Sequence, residues 1–377
     1  MRWTQVPTLL PGIAAALSVS LLAHRVASLL GEQLLRWQGL APAGRASPVS
    51  AIAMSVILGL LLSGLVRARW LLPGLDFAMK KLLRLGIILL GLKLAIGDVL
   101  KVGLLGIPMV AGVVTMGVVA SLVLARALKV SRTLGLLAAA STGICGITAA
   151  LAVAPVLDAD DKEVAYTVAN VTLLGLVGML LYPYLAHALF AAHPGAAGAF
   201  LGTAIHDTSQ VMGAALSYQE MFNQPLVAQI ATITKLTRNS MLVVVVPVLG
   251  LLHRRMTARE HGAPVSLSNL FPLFVLGFLA ASVFRSVGEA GVSANGAAYG
   301  LLDPSSWVRL IRLLGDQTAG LLLGTALAAV GLSTRFSVFR ALGVAPLLLG
   351  IAAALAVSLS ALGLAATVGP LLDQARP

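Results

Sequence analysis

The chain has 377 residues, of which 58% are hydrophobic and 11% are charged, whereas a soluble domain carries about 25% charged residues. Apolar windows of about 20 residues, long enough to cross a bilayer, recur along almost the whole chain and exclude a soluble domain between them. We therefore predict an all-α polytopic membrane protein. Lysine and arginine in cytoplasmic loops explain the net charge of +12 without a nucleic-acid partner.

Residues 1–47 are predicted to hold the first membrane helix and an external loop. An arginine near the start, followed by an apolar run, resembles a signal peptide, but further spans follow, so we expect an uncleaved helix. We predict about eleven spans, with a first membrane repeat region at 48–189 and a second at 190–377. The candidate spans are residues 8–30, 48–66, 82–98, 103–124, 133–157, 164–189, 197–218, 226–250, 268–287, 309–332 and 345–368.

Basic links between the spans predict their orientation, because cytoplasmic loops are enriched in lysine and arginine. If the basic links face the cytoplasm, the N-terminus is cytoplasmic and the C-terminus periplasmic, provided that 197–218 crosses fully. A re-entrant hairpin there is the second interpretation. The acidic link 158–163 then falls outside. The basic positions are Arg67, Arg69, Lys80 and Lys81, then Arg126, Lys129 and Arg132, then Arg254, Arg255 and Arg259, and finally Arg335 and Arg340.

Two weak internal matches indicate repetition. The stretches that begin at Gly91 and Gly331 both end a span and start the next near a proline, and they run in opposite directions. Inverted pairs of this kind are typical of secondary transporters, whose sites lie near the membrane centre. A second match, between 164–183 and 227–247, comes out parallel, so the pairing of the repeats stays open.

The first polar motif within a span is STGICGITAA, residues 141–150. Glycine inside a helix costs about 1 kcal/mol relative to alanine, and unwound backbone at membrane depth needs protein or water as a partner. We expect a broken helix whose free amide groups bind an anion; close helix packing through small residues is the alternative. The substrate-binding candidates here are Ser141, Thr142, Gly143, Cys145, Gly146 and Thr148.

The second polar motif is GTAIHDTSQV, residues 202–211. Ionisable groups at this depth usually face a cavity or a partner, and histidine titrates near physiological pH. His206 and Asp207 are therefore the predicted proton-coupling pair, although a short segment near an interface would explain them too. The substrate-binding candidates in this motif are Thr203, Thr208, Ser209 and Gln210.

The third polar motif is TITKLTRNS, residues 232–240. Lys235 and Arg238 stand one turn apart near the centre of a span, so they need anionic partners there. The planar fork of arginine suits carboxylate, sulfate or phosphate oxygens. We expect both cations and Asn239 to bind an anionic substrate, while an ion pair with Asp207 or Asp316 is the structural alternative.

The motifs favour a carrier over an enzyme or a channel. The chain has no HExxH motif, glycine-rich phosphate loop or cysteine framework, so we predict no enzyme, cofactor or metal site. Ser209, His206 and Asp207 are too close in sequence for a hydrolase triad. A channel needs polar rings or a continuous polar stripe, whereas the polar residues here cluster in a few interrupted segments.

Four stretches together resemble the sulfate exporter family of bacterial inner-membrane proteins. They are LLRLGIILLGLKL, STGICGITAALAVAPVL, GTAIHDTSQVMGAAL and TKLTRNSML, and the resemblance runs from about Ala51 to Ala365. It implies membership of the superfamily of sodium/proton antiporters and bile-acid symporters, with inverted repeats, broken crossing helices and a core domain that moves like an elevator against a panel domain. The aspartate pair of the proton antiporters has no counterpart here, which leaves proton and sodium coupling open.

The resulting hypothesis is a secondary exporter of sulfate, sulfite or an organosulfonate, which works by alternating access in the inner membrane and is surrounded by lipid. The rival hypothesis is a cation/proton antiporter in which Asp207 binds the cation and Lys235 is the competing counter-ion. Small residues such as Gly175 and Gly178 permit a homodimer.

Overall fold

The computed structural model describes residues 6–42, 45–64, 68–257, 272–334 and 344–374, and all structural statements refer to these. Their regular secondary structure is helical; the β-structure among them is an isolated bridge between Ala298 and Leu302. The prediction of an all-α protein is confirmed. The basic positions Arg67, Arg259, Arg335 and Arg340 lie outside the described residues.

The described residues form sixteen α-helices, which are numbered in chain order. Three-residue 3-10 turns precede α3 and follow α4, and π-helical segments lie at Ala78–Leu82 and Arg312–Thr318. The helices are α1 Val6–Trp37, α2 Ala51–Leu62, α3 Leu72–Phe77, α4 Leu83–Leu90, α5 Ile96–Ala127, α6 Arg132–Gly143, α7 Ile147–Val153, α8 Asp161–Phe190, α9 Pro194–Ala204, α10 Thr208–Phe222, α11 Pro225–Ser240, α12 Leu242–Thr257, α13 Phe274–Asn295, α14 Pro304–Ile311, α15 Ala319–Ser333 and α16 Val344–Gln374.

Seven helical segments of the described chain are long and apolar enough to cross a membrane. They have 22 to 32 residues, and about 20 suffice for the hydrocarbon core. The chain is thus a polytopic membrane protein, while the predicted number of eleven spans is not confirmed. The seven segments are Thr8–Trp37, Ile96–Ala127, Asp161–Phe190, Pro225–Arg254, Phe274–Asn295, Pro304–Ser333 and Val344–Asp373.

Helices α6 and α7 form a hairpin that enters and leaves on one side. The break predicted around 141–150 is present, because α6 ends at Gly143 and α7 begins at Ile147. The Ser131 hydroxyl, which caps the start of α6, donates a hydrogen bond to Glu163 in the first turn of α8. A segment that crossed fully would separate these two residues by the thickness of the membrane, so the prediction that 133–157 crosses is wrong.

Helices α9 and α10 form a second hairpin, which enters from the opposite side. It is interrupted between Ala204 and Thr208. At the end of α10, Phe222 stacks on His187 near the end of α8, with ring centroids 3.7 Å apart. Since α9 begins four residues after α8 ends, both ends of the hairpin lie on the same side. The re-entrant interpretation of 197–218, ranked second from sequence, matches the structure.

Two segments predicted to cross the membrane, 133–157 and 197–218, are hairpins instead. Each hairpin reverses the direction of the chain relative to the prediction, so the spans after the second hairpin again run in the predicted direction. These errors misplace the acidic link 158–163, which lies beside the basic residues around Arg132. Its carboxylates lie at the start of α8, where Asp160 caps the helix by accepting a hydrogen bond from the Lys162 amide. Acidic residues carry little topological information, so helix capping explains them better.

Each hairpin is followed by a long helical segment, and the two hairpin–helix units run in opposite directions. Helix α8 starts on the basic side, whereas α11 starts on the other side and α12 returns to the basic side. A Cβ added at Gly250 on α12 would lie 2.7 Å from Val156, just after α7. The sequence match between 164–183 and 227–247, which came out parallel, is therefore antiparallel in the structure.

The helices pack as two groups. A hairpin bundle contains α5 to α12 and α16, and a flanking bundle contains α1 to α4 and α13 to α15. Membrane helices associate through close backbone approach at small residues, and a Cβ at Gly59 of α2 would lie 2.9 Å from the Gly331 Cα of α15.

The bundles meet where α10 packs on α2 and α15. There the Ser50 hydroxyl donates to a Glu220 carboxylate oxygen at 2.7 Å, and the same oxygen accepts from the Ile52 amide at 3.3 Å. This polar contact joins the two bundles on the side opposite the basic residues.

Single cysteines will test the hairpins. We expect a membrane-impermeant maleimide to label Ala127→Cys and Lys162→Cys from one side and Ala192→Cys and Gln224→Cys from the other, since the first three positions are exposed and Gln224 is partly exposed. The unmodified chain is the control, because Cys145 is buried. Labelling of Ala127→Cys and Lys162→Cys from opposite sides would contradict the first hairpin.

Candidate functional site

The tips of the two hairpins touch. The tip of the first is 144–146 and the tip of the second is 205–207. Gly146 has a φ of 63°, and a Cβ there would lie 3.3 Å from the Asp207 Cα and 2.8 Å from Val171. Only glycine combines this backbone conformation with so close an approach, which explains a glycine at this position of the motif.

Helices α6 and α9 both end at the tips, inside the protein. The last carbonyl groups of a helix have no partner within it, and they form the negative end of the helix dipole. Two such ends side by side require donors, preferably cationic ones. The donors come from α11, which passes both tips without a break.

Arg238 binds the carbonyl ends of both helices. Its Nε donates to Gly143 O at 2.9 Å and its Nη2 to Thr142 O, at the end of α6. Its Nη1 donates to Thr203 O at 2.5 Å and to Ile205 O at 3.1 Å, at the end of α9. The guanidinium is fully buried. Because it binds carbonyl groups of both helices, it links the two hairpins.

Lys235 lies one turn earlier on α11 and binds the tips themselves. Its Nζ donates to Ile144 O at 3.2 Å, to Ile205 O at 3.1 Å and to His206 O. It is also fully buried. The two cations thus donate hydrogen bonds to the carbonyl groups of the unwound backbone, whereas lipid has no donors for them.

The two cations have no acidic partner within ion-pair distance among the described residues. Asp316 instead pairs with Lys93, at 2.6 Å between Nζ and Oδ1. Asp207 caps α10, where its Oδ1 accepts from the Ser209 amide at 2.9 Å and the Ser209 hydroxyl at 2.5 Å. The alternative of a structural ion pair with Asp207 or Asp316 is therefore wrong.

A cavity of about 910 Å³ lies between the two bundles, next to the tips. Its lining includes Lys80, Arg84, Phe274 and Thr334, which lie near helix ends on the basic side. The side chains between these and the tips are mostly aliphatic, among them Leu83, Ile87, Leu151, Val168 and Leu242.

Seven of the sequence-predicted residues line this cavity and form a polar group at the tips. Beside Asp207, the Asn239 Nδ2 lies 3.2 Å from the Thr208 hydroxyl. The Gln210 Nε2 donates to Thr172 O at 3.0 Å, and the Asn239 Oδ1 has no hydrogen-bond partner in the described structure. The seven residues are Cys145, Thr148, Asp207, Thr208, Ser209, Gln210 and Asn239.

The other predicted residues lie behind the tips and do not line the cavity. The Thr142 hydroxyl lies 2.9 Å from that of Ser121, and the Thr203 hydroxyl donates to Ala199 O at 2.6 Å. His206 is buried, and its Nδ1 has no partner among the described atoms. This second set is Ser141, Thr142, Gly143, Gly146, Thr203, His206, Lys235 and Arg238.

Sequence reasoning missed the part of the lining that comes from other helices. Lys80 and Arg84 were assigned to a loop or left out, although their spacing of four residues places them on one helix face. Thr172 follows Asn170 in the TVANVT stretch of α8, a polar interruption that could have indicated it. Ser333 and Thr334, at the end of α15, had no distinguishing signal.

Comparison with known proteins agrees with a membrane protein. The model of the family described as Conserved hypothetical protein 698 matches residues 15–350. The chain belongs to this family.

Relatives across several bacteria carry the name UPF0324 membrane protein. One from Bordetella pertussis is 32% identical over 342 residues, 89% of each chain. One from Streptococcus agalactiae is 28% identical over 322 residues, 85% of this chain and 91% of the relative. One from Chlorobaculum tepidum is 34% identical over 253 residues, 66% of this chain and 68% of the relative. No solved structure matches the chain.

Replacement of Arg238 by methionine will destabilise the fold. It leaves carbonyl groups of both hairpins buried without donors, and each buried acceptor that loses its donor costs about 1–3 kcal/mol. Thermal or denaturant unfolding in detergent measures the loss. Arg285→Met is the control: Arg285 forms a partly exposed pair with Glu289 on α13, and such a pair contributes about 0–1 kcal/mol. Equal losses would contradict the structural role of Arg238.

Proposed function

We propose that the protein is a secondary transporter that exports a small oxyanion, namely sulfate, sulfite or an organosulfonate, by alternating access. One observation carries the proposal. Two oppositely directed hairpins meet beside a cavity that reaches one side of the protein, and two buried cations bind their tips. Interrupted helices that meet between repeats of opposite direction are typical of transporter sites.

The arrangement of the bundles supports movement of one against the other. The units α6–α8 and α9–α12 serve as inverted repeats and form a core together with α5 and α16. The flanking bundle serves as the panel against which this core moves like an elevator. Because the cavity lies between the two bundles, a shift of the core would carry the tips from one side of the membrane towards the other.

Charge supports an anion as the substrate. Lys235 and Arg238 add two fixed positive charges behind the tips, against one carboxylate, Asp207, in the cavity lining. Coulomb interactions act strongly across a medium of low dielectric constant, so the cations attract an anion without touching it. Thr148 and Thr208 supply hydroxyl donors, and Arg84 adds positive charge along the entry.

The size of the cavity favours an organic anion within this class. A volume of about 910 Å³ exceeds that of an inorganic oxyanion many times over, and pockets for organic ligands are mostly apolar with a few placed polar groups. The sulfonate group of an organosulfonate would contact the tips, while its carbon chain would contact Leu151 and Val168.

The inner membrane with a cytoplasmic N-terminus remains the proposed location. The cavity opens on the side of Arg126 and Arg132, and cytoplasmic loops are rich in such residues. An opening towards the cytoplasm suits the loading of an exported substrate.

A cation/proton antiporter is the second candidate. Asp207 is the one carboxylate among the described lining residues, and Asn239, whose buried Oδ1 has no partner in the described structure, belongs to the same lining. Oxygen ligands of this kind suit a cation. In both candidates the coupling proton would be carried by Asp207, because His206 does not line the cavity.

Asp207→Asn separates the two candidates. An asparagine oxygen can still accept the Ser209 amide bond, so the cap of α10 persists while the charge is lost. We expect the variant in proteoliposomes to keep anion exchange and to lose accumulation driven by a pH gradient. Under the second candidate, sodium or potassium flux disappears altogether.

Asp303→Asn is the matched control. Asp303 also caps a helix, by accepting the Ser305 and Ser306 amides, but it lies away from the cavity. Hydrogen bonds from these serines hold the pKa of Asp303 below its usual range, so it stays ionised at any working pH. Unchanged flux is expected for this variant. If neither anion nor cation gradients drive movement in the wild type, both candidates fail.

Arg84→Gln tests the sign of the substrate charge. Arg84 lines the cavity beside Phe274, where its charge raises the local anion concentration. We expect the KM for the anion to rise about 2- to 5-fold at low ionic strength, with a smaller change at high salt. Lys101→Gln, at an exposed position outside the cavity lining, is the control. A fall in KM would indicate a cationic substrate.

A further inference from the structure

The Lys235 ammonium group lies in a cage of backbone carbonyl oxygens. Ile144 O at 3.2 Å, Ile205 O at 3.1 Å and His206 O accept its bonds. An ammonium has three N–H donors, so the three carbonyls use them all. The cage draws on both hairpin tips, and the side chain is fully buried.

A cage of this composition suits a monovalent cation. Backbone carbonyl oxygens replace the hydration shell of ions in selectivity filters. In transporters with interrupted helices, unwound carbonyls and the C-terminal ends of half-helices coordinate the coupling ion. The ligands of the Lys235 ammonium are of the same type and lie at the same kind of helix end.

The neighbouring guanidinium of Arg238 makes the site unfavourable for an additional ion. It offers no lone pair to an ion. It binds three further carbonyls, those of Thr142, Gly143 and Thr203, and shares Ile205 O with Lys235. A sodium or potassium ion at the tips would meet two fixed positive charges at short range. The positive charge that an ion would bring is already part of the chain.

We propose that Lys235 is a tethered substitute for a coupling cation. Its ammonium group fills the carbonyl cage permanently, so the carrier works without sodium or potassium. Removal of the side chain opens the cage to ammonium, methylammonium, sodium or potassium. The statement about the cage stands by itself, whereas its consequence for ion coupling rests on the proposed transport function.

Thermal unfolding of the full chain in detergent tests the cage. Choline chloride is replaced in turn by ammonium, methylammonium, sodium and potassium chloride at constant ionic strength. The wild-type Tm should be the same in all five salts. The Tm of Lys235→Ala should fall by about 5 °C or more in choline and recover about half of that loss in at least one small cation, since a ligand of the folded state raises Tm.

Lys93→Ala is the matched control. Its Nζ also makes a short polar contact between helices, but the partner is the Asp316 carboxylate at 2.6 Å, and the side chain is partly exposed. Loss of this lysine leaves an anion and no carbonyl cage, so no salt-specific recovery beyond that of the wild type is expected. The same recovery in Lys93→Ala and Lys235→Ala would overturn the assignment of the cage.

A wild-type Tm that rises in sodium or potassium overturns the proposal whatever the variants do. So does a folded Lys235→Ala protein with one Tm in all salts. If Lys235→Ala does not fold in choline, expression and purification in ammonium or sodium provide the same test: folded protein in the small cation alone supports the cage. Failure of Lys235→Ala to fold in every salt passes the test to Lys235→Ser, with the same two outcomes.

Flux in proteoliposomes separates this proposal from the proposed function. Wild-type anion flux that is unchanged when choline replaces sodium and potassium supports it. Flux that requires sodium overturns the proposal that Lys235 substitutes for a coupling cation, but it does not contradict the proposed transport of an oxyanion. If the wild type moves no anion, the proposed function fails, and the unfolding temperatures still decide the occupancy of the cage.

Discussion

The bond between two cationic side chains and the carbonyl ends of two half-helices is the interaction on which this structure depends. A backbone carbonyl that is buried without a donor costs several kcal/mol, and hydrocarbon offers none. Six residues at the ends of α6 and α9 would otherwise face that cost together. Arg238 and Lys235 remove it with one turn of α11, which is why that helix runs past the tips unbroken while its neighbours stop there.

This solution divides the polar residues into two sets with different tasks. The cations, with Thr142 and Thr203 beside them, lie behind the tips and fix the positions of the hairpins. Asp207, Thr208, Ser209 and Asn239 lie in front of them and line the cavity. The two sets interact through electrostatics and through the backbone of the three residues at each tip. Substitution of a residue behind the tips therefore alters the cavity even though that residue does not contact its interior.

Much of this could be predicted from the sequence, since composition and window length are enough for a polytopic helical protein, and the glycine spacing at 143–146 indicates a break. The direction after the break is not encoded in those residues, because hydropathy is the same for a segment that crosses and for one that returns. The deciding contact, between Ser131 and Glu163, joins residues on either side of the first hairpin. Similarly, the sequence identifies Lys235 and Arg238 as cations in need of partners. It does not distinguish a bound anion from backbone carbonyls, because the latter carry no sequence signal.

The contact of Ser50 with Glu220 has a consequence for the equilibrium between states. It closes the gap between α2 and α10 on the face opposite the cavity, with Ser217 also 2.9 Å from the Ser50 hydroxyl. A conformation open to that face must separate these groups and admit water to the carboxylate. Under the proposed alternating access, the free energy of that separation sets how rarely the empty protein visits the opposite conformation. In the proposed transporter, a few hydrogen bonds far from the cavity, each contributing about 1 kcal/mol, would therefore determine how the unloaded protein divides its time between the two conformations.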